Sequence, residues 1–148
     1  MKTLIVVLIL LSFLQVTVIP ANLVLIILIL RAYLFPAKEN LYLGFFFGLL
    51  ISYLEPQSLG IYSLVFLSFI QVIHLIRKTP FSMHFLVMIP AVIIVLILDS
   101  FFQGLLTKSS VYLWPGVFME ALLAVPIYFV LKIWEERFVV KPEVKLRI

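Results

Sequence analysis

Residues 48–60 read GLLISYLEPQSLG, an acid, a proline and a glutamine set between two long apolar runs. The chain around them is 65% hydrophobic and 12% charged, with a mean hydropathy of +1.27, whereas an ordinary soluble domain is about 25% charged. So few polar side chains cannot cover a water-soluble core. In lipid an apolar exterior costs nothing, and only the backbone must be satisfied internally. Runs such as LIVVLILL and AVIIVLIL are apolar on every face, without the period-two alternation of a membrane barrel strand. The composition therefore predicts an all-α polytopic membrane protein, a single domain over 1–148, in which GLLISYLEPQSLG is a turn between spans.

Breaks between the apolar runs place six spans at about 3–19, 21–36, 41–55, 60–77, 83–106 and 111–133, with 134–148 a cytoplasmic tail. The first three are short for a bilayer core that takes about 20 helical residues. Five spans, with the first two regions forming one irregular unit, is the rival count. Charge placement favours six. With the N-terminus inside, Lys2, Arg31, Lys38, Arg77, Lys78, Lys132, Arg137, Lys141, Lys145 and Arg147 fall on the cytoplasmic side and only Lys108 outside. Both termini are then cytoplasmic. The basic residues are scattered over loop ends and a short tail, which argues against nucleic acid as a partner. Lys2 and the apolar run behind it have the form of a signal peptide, but VTVIPAN spoils the small-residue cleavage pattern, so a retained anchor is expected. There is no cysteine, hence no disulfide or thiolate ligand.

This topology puts GLLISYLEPQSLG at the outer end of the third and fourth spans. Glu55 precedes Pro56 and is pushed away from helical angles, so the helix ends there. Ser58 is positioned to cap the helix beginning near Gly60. Gly44, Gly48 and Gly60 are small residues that permit close helix approach.

The run GFFFGLLISYLEPQSLGIYSLVF, residues 44–66, resembles the central hairpin of the bacterial rod-shape-determining protein MreD family, of the form G-x-x-x-G-L-x-x-D-x-x-x-x-x-x-L-G. The final WPGVFMEALLAVPIYFVLKIWEERF, with Pro126 in mid-helix and a charged end, is similar to that family's last span. The resemblance implies a non-enzymatic adaptor of the wall-elongation machinery. Its direct partner would be an MreC-type bitopic protein, and its indirect partners an MreB-like filament and the wall-synthesis enzymes, at the bacterial cytoplasmic membrane. It also implies a bundle similar to the substrate-binding subunits of energy-coupling-factor transporters, and hence an alternative role as a small-molecule-binding subunit. Those subunits carry an Ala-x-x-x-Ala pair on the first helix, and LIVVLILLSFLQVTVIP has no alanine. Where the family pattern has an acid this chain has Ser52; Glu55, one turn on, either takes over that role at a shallower depth or the role is absent.

Asp99 and Glu120 sit roughly 12 Å and 10 Å inside the outer ends of the fifth and sixth spans, at similar depth. Intramembrane acids face the bundle or a wet cavity. On one reading Asp99, Gln103, Glu120 and Glu55 line an outward-opening pocket; on the other each serves packing, and Lys108 either reaches back to them or stays in solvent. His74 and His84 lack further ligands at metal spacing, and no cofactor is implied. Gln15, Gln71, Ser12, Thr17, Ser63 and Ser68 are expected to bond between helices or to their own carbonyls. Pro90 and Pro126 are expected to kink their helices. Tyr42, Tyr53, Tyr62, Tyr112, Trp114 and Trp134 fit an aromatic belt. No His-Glu-x-x-His, Gly-x-Ser-x-Gly or phosphate-loop pattern occurs, so the sequence reads as non-enzymatic.

Overall fold

The computed structural model describes residues 2–18, 21–55, 60–78, 85–107 and 113–138. Among the described residues six helices follow one another: α1 (Lys2–Thr17), α2 (Leu23–Leu34), α3 (Glu39–Leu54), α4 (Ile61–Arg77), α5 (Phe85–Thr107) and α6 (Leu113–Phe138). Two of them, α5 and α6, are long and apolar enough to cross a membrane, over Val87–Leu105 and Gly116–Glu135; α1 to α4 are apolar but shorter.

Proline sets two of the ends. The residues before Pro36 and Pro56 are Phe35 (ψ 94°) and Glu55 (ψ 136°), both extended, as crowding by the proline ring requires. Thus α2 stops at Leu34, two residues before the expected end, and α3 at Leu54. At the start of α4, Gly60 has φ +91°, a left-handed conformation that costs other residues about 1–2 kcal/mol. A Cβ there would meet nothing within 4 Å, so Gly60 serves the turn and not the close packing expected of it. Ser58, the expected cap, and the tail beyond Phe138 lie outside the described residues.

The shortest helix is the centre of the molecule. Every residue of α2 from Leu23 to Tyr33 is buried, and α2 packs against all five other helices. Those five surround it in the order α1, α3, α4, α5, α6, each touching the next, but among the described residues α6 and α1 do not pack on one another. The ring is thus open at one seam. There Leu4, Val7 and Leu11 of α1 face Pro126, Val130 and Trp134 of α6 across an apolar groove of about 300 Å³ floored by Ile27.

Outer helices bury narrow stripes. In α3 the stripe includes Gly44, Gly48 and Ser52, four residues apart, and it packs closely on α4. A Cβ on Gly48 would lie 2.7 Å from the Ser63 backbone nitrogen, closer than real atoms approach, so the two backbones touch only because residue 48 is glycine. The opposite faces are exposed and apolar, with Phe46, Leu64, Phe118 and Val130 each more than 60% exposed.

Candidate functional site

Six polar side chains, one from each helix or its cap, converge at one end of the bundle. Gln15 of α1, Asn22 before α2, Glu55 at the end of α3, Tyr62 of α4, Gln103 of α5 and Glu120 of α6 line a pocket of about 250 Å³. Because these residues come alternately from late and early in their helices, the helices run up and down in turn.

Asn22 is the hub. Its Nδ2 donates to Asp99 Oδ2 (2.9 Å), its backbone N–H donates to Glu120 Oε1 (2.8 Å), and its Oδ1 accepts from Gln15 Nε2 (3.4 Å). Gln15 Oε1 in turn accepts the Val24 N–H at 3.1 Å. Amide groups in the first turn of a helix have no intrahelical acceptor, and in an apolar bundle water cannot stand in for one. Side chains from α1 and α6 supply those acceptors, and the carboxylates face the positive end of the α2 dipole. Gln103 Nε2 adds a second bond to Asp99 Oδ2 (2.8 Å), and Tyr62 donates to Glu55 Oε2 at 2.6 Å.

Of the four residues that one sequence reading places around a pocket, Gln103, Glu120 and Glu55 line it, whereas Asp99 is buried beside it and held by Asn22 and Gln103. Ser52 is not among them; it is buried in the α3–α4 stripe, its hydroxyl without a partner, so Glu55 and Ser52 do not share an environment. Lys108 lies outside the described residues. Tyr42 and Tyr53 are exposed, whereas Tyr62 is buried and belongs to the pocket, and Trp134 lines the seam. Tyr112 and His84 are outside the described residues. Ser12, Thr17, Ser63 and Ser68 each donate to a carbonyl three or four residues back; Gln71 is exposed. Pro90 and Pro126 both lie inside helices, α5 and α6.

A second polar cluster sits at the opposite end. Arg31, in the last turn of α2, is 2% exposed and pairs through Nε with Glu135 Oε1 of α6 at 2.8 Å. Its Nη1 donates to Asn40 Oδ1 at the start of α3, and Asn40 Nδ2 donates to the Phe35 carbonyl at 2.7 Å. Sequence reasoning counted Arg31 only as a topology marker and passed over Asn22, Asn40 and Glu135. The available signal was the bracketing of an apolar run by Asn22 and Arg31, two polar residues that would otherwise be stranded.

These features define an all-helical bundle with a fully buried central helix, polar at both ends. Comparison of the chain with protein-family models, curated proteins and solved structures finds no match in any of the three.

Proposed function

We propose that the chain is a six-span protein of the bacterial cytoplasmic membrane with both termini cytoplasmic. It acts as a non-enzymatic adaptor of the wall-elongation, rod-shape-determining machinery and binds an MreC-type single-span partner. Through that partner it connects to an MreB-like filament and the wall-synthesis enzymes. Membrane residence is supported by where the apolar surface lies. Only 33% and 17% of the spanning windows of α5 and α6 are buried in the bundle, whereas the core helix of a soluble protein is mostly buried. Large exposed apolar surface of this extent marks contact with lipid or protein.

The observation that carries the adaptor reading is the open seam. Among the described residues α1 and α6 flank an apolar groove without packing on one another, while α2 stays buried behind it. One further apolar helix, laid between α1 and α6, completes the ring, which matches a partner with a single span. The resemblance of residues 44–66 to the MreD hairpin names the partner class. The second reading, a small-molecule-binding transporter subunit, draws on the polar pocket. Affinity purification of the tagged chain from native membranes in mild detergent, with mass spectrometry, separates the two. The adaptor reading expects a near-stoichiometric single-span partner, lost in Val7→Trp and Val130→Trp, which fill the seam, and kept in Phe46→Trp on the exposed face of α3. Recovery of ATP-binding transporter subunits in its place overturns it.

A further inference from the structure

Three nitrogen-bearing side chains gather at the end of the bundle that holds Arg31. His74, Arg77 and Lys78, where α4 ends, line a concave site of about 380 Å³ together with Pro36, just beyond α2. The three stand at i, i+3 and i+4 and so share one face of the helix. Among the described residues no carboxylate lines this site. The acids whose side chains are described stand elsewhere, with Glu55, Asp99 and Glu120 at the far end and Glu39 and Glu135 on Arg31. The C-terminus of α4 supplies about half a negative charge, less than Arg77 and Lys78 carry together.

Two further observations point to an occupant. His74 lines the site, yet its Nε2 is buried with no hydrogen-bond partner among the described residues. A buried ring nitrogen in that condition is rare and calls for a reason. The imidazole turns about its Cβ–Cγ bond with a two-fold preference, so an acceptor seated in the site can take its N–H without backbone movement. The second observation is on the outside of α4. Leu64, Val72 and Leu75 are 67%, 41% and 53% exposed, and Leu75 lies one turn before Lys78. An apolar track thus leads away from the site along the exposed face of the helix.

We propose that this site binds a phosphate group, whose oxygens accept from His74, Arg77 and Lys78. A guanidinium has five N–H donors, so Arg77 serves an anion while keeping its contacts within the chain. Donors at three positions suit a tetrahedral oxyanion better than a planar carboxylate with two oxygens. The phosphate belongs either to an anionic phospholipid, whose acyl chains would follow the track past Leu75, or to a free phosphate. The seam offered to a single-span partner lies between α1 and α6, so this inference and the adaptor reading fail independently.

The test pairs two measurements on the purified chain. Native mass spectrometry in mild detergent compares phosphatidylglycerol with phosphatidylcholine of the same acyl chains, whose phosphate is already offset by its own choline. Calorimetry titrates inorganic phosphate into the chain in phosphatidylcholine discs, with sodium chloride as the control. Saturable binding of phosphatidylglycerol, of phosphate or of both is expected. Lys78→Gln, at an exposed position, should weaken it about fivefold and Arg77→Gln/Lys78→Gln about 30-fold, while Lys132→Gln/Arg137→Gln, which removes the same charge from α6, should leave it within about twofold. His74→Phe should weaken it as well and His74→Gln restore it, a pattern that surface charge alone does not produce. Circular dichroism confirms that each variant is folded. Preference for phosphatidylglycerol without phosphate binding identifies the lipid as the source, and phosphate binding with equal retention of the two lipids identifies the free anion. The proposal is overturned by the absence of both, by equal losses in the two double variants, or by undiminished affinity in His74→Phe.

Discussion

Asn22 and Arg31 stand nine positions apart and hold the two ends of α2 by different physics. Asn22 works through neutral and charge-assisted hydrogen bonds to α1, α5 and α6. Its replacement by alanine keeps the backbone bond to Glu120 but leaves Asp99 Oδ2 with Gln103 alone, at a cost of about 1–3 kcal/mol for a buried acceptor stripped of one partner. Equilibrium unfolding of Asn22→Ala in mixed detergent should show that loss, and Asn22→Asp, which adds a fourth acid, a larger one. Arg31 and Glu135 are a buried ion pair, and pairs of this kind behave asymmetrically. Removing one partner strands a charge, at about 3–5 kcal/mol, while removing both is often close to neutral. Arg31→Met and Glu135→Met should therefore each destabilise strongly, and the double variant should be more stable than either. Strictly additive losses would mean that the pair is not energetically coupled.

At the scale of helices, the contact of α3 with α4 depends on glycine where backbone meets backbone. In Gly48→Ala the new methyl meets the Ser63 main chain, which cannot rotate away, whereas at Gly44 it meets the flexible end of the Ile70 side chain. Gly48→Ala should cost about 1–3 kcal/mol by forcing the helices apart, and Gly44→Ala clearly less; melting of the two variants in one detergent tests the order. Such elements show what the residues alone disclose. Helix ends at Phe35-Pro36 and Glu55-Pro56 were legible because proline acts on its immediate neighbour. The depth of Asp99 and Glu120 was legible from their offsets along α5 and α6. The central place of α2 was not, because LIVVLILL in α1 and LVLIILIL in α2 are equally apolar, yet the first buries only Leu4 and Leu8 fully while the second is enclosed. When the exterior is as apolar as the core, periodicity carries no record of which face is buried. The same blindness hid Tyr62, which reads as a belt residue and is a pocket residue.

For the whole molecule, the short helices and the membrane must be reconciled. α2 has 12 residues, about 18 Å, against a hydrocarbon core of about 30 Å. A lipid-facing helix of that length would leave its end groups unsatisfied. α2 avoids this by sitting inside the ring, where Gln15 and Glu120 accept backbone N–H groups at one end, and at the other Asn40 Nδ2 donates to the Phe35 carbonyl while Glu135 and Asn40 hold the Arg31 side chain. The two polar clusters then mark the two ends of the bundle, and in the proposed topology the Arg31 end is the cytoplasmic one. Because the chain has no cysteine, any introduced one is its sole thiol. With a membrane-impermeant maleimide on intact cells, Lys108→Cys should be labelled, while Thr3→Cys, Lys38→Cys, Lys78→Cys and Arg137→Cys should react only after permeabilisation. Labelling of Thr3→Cys alone among those four would establish the five-span count, in which α1 and α2 form one unit. Labelling of Lys38→Cys or Lys78→Cys in intact cells would invert the orientation and place the acidic pocket on the cytoplasmic face.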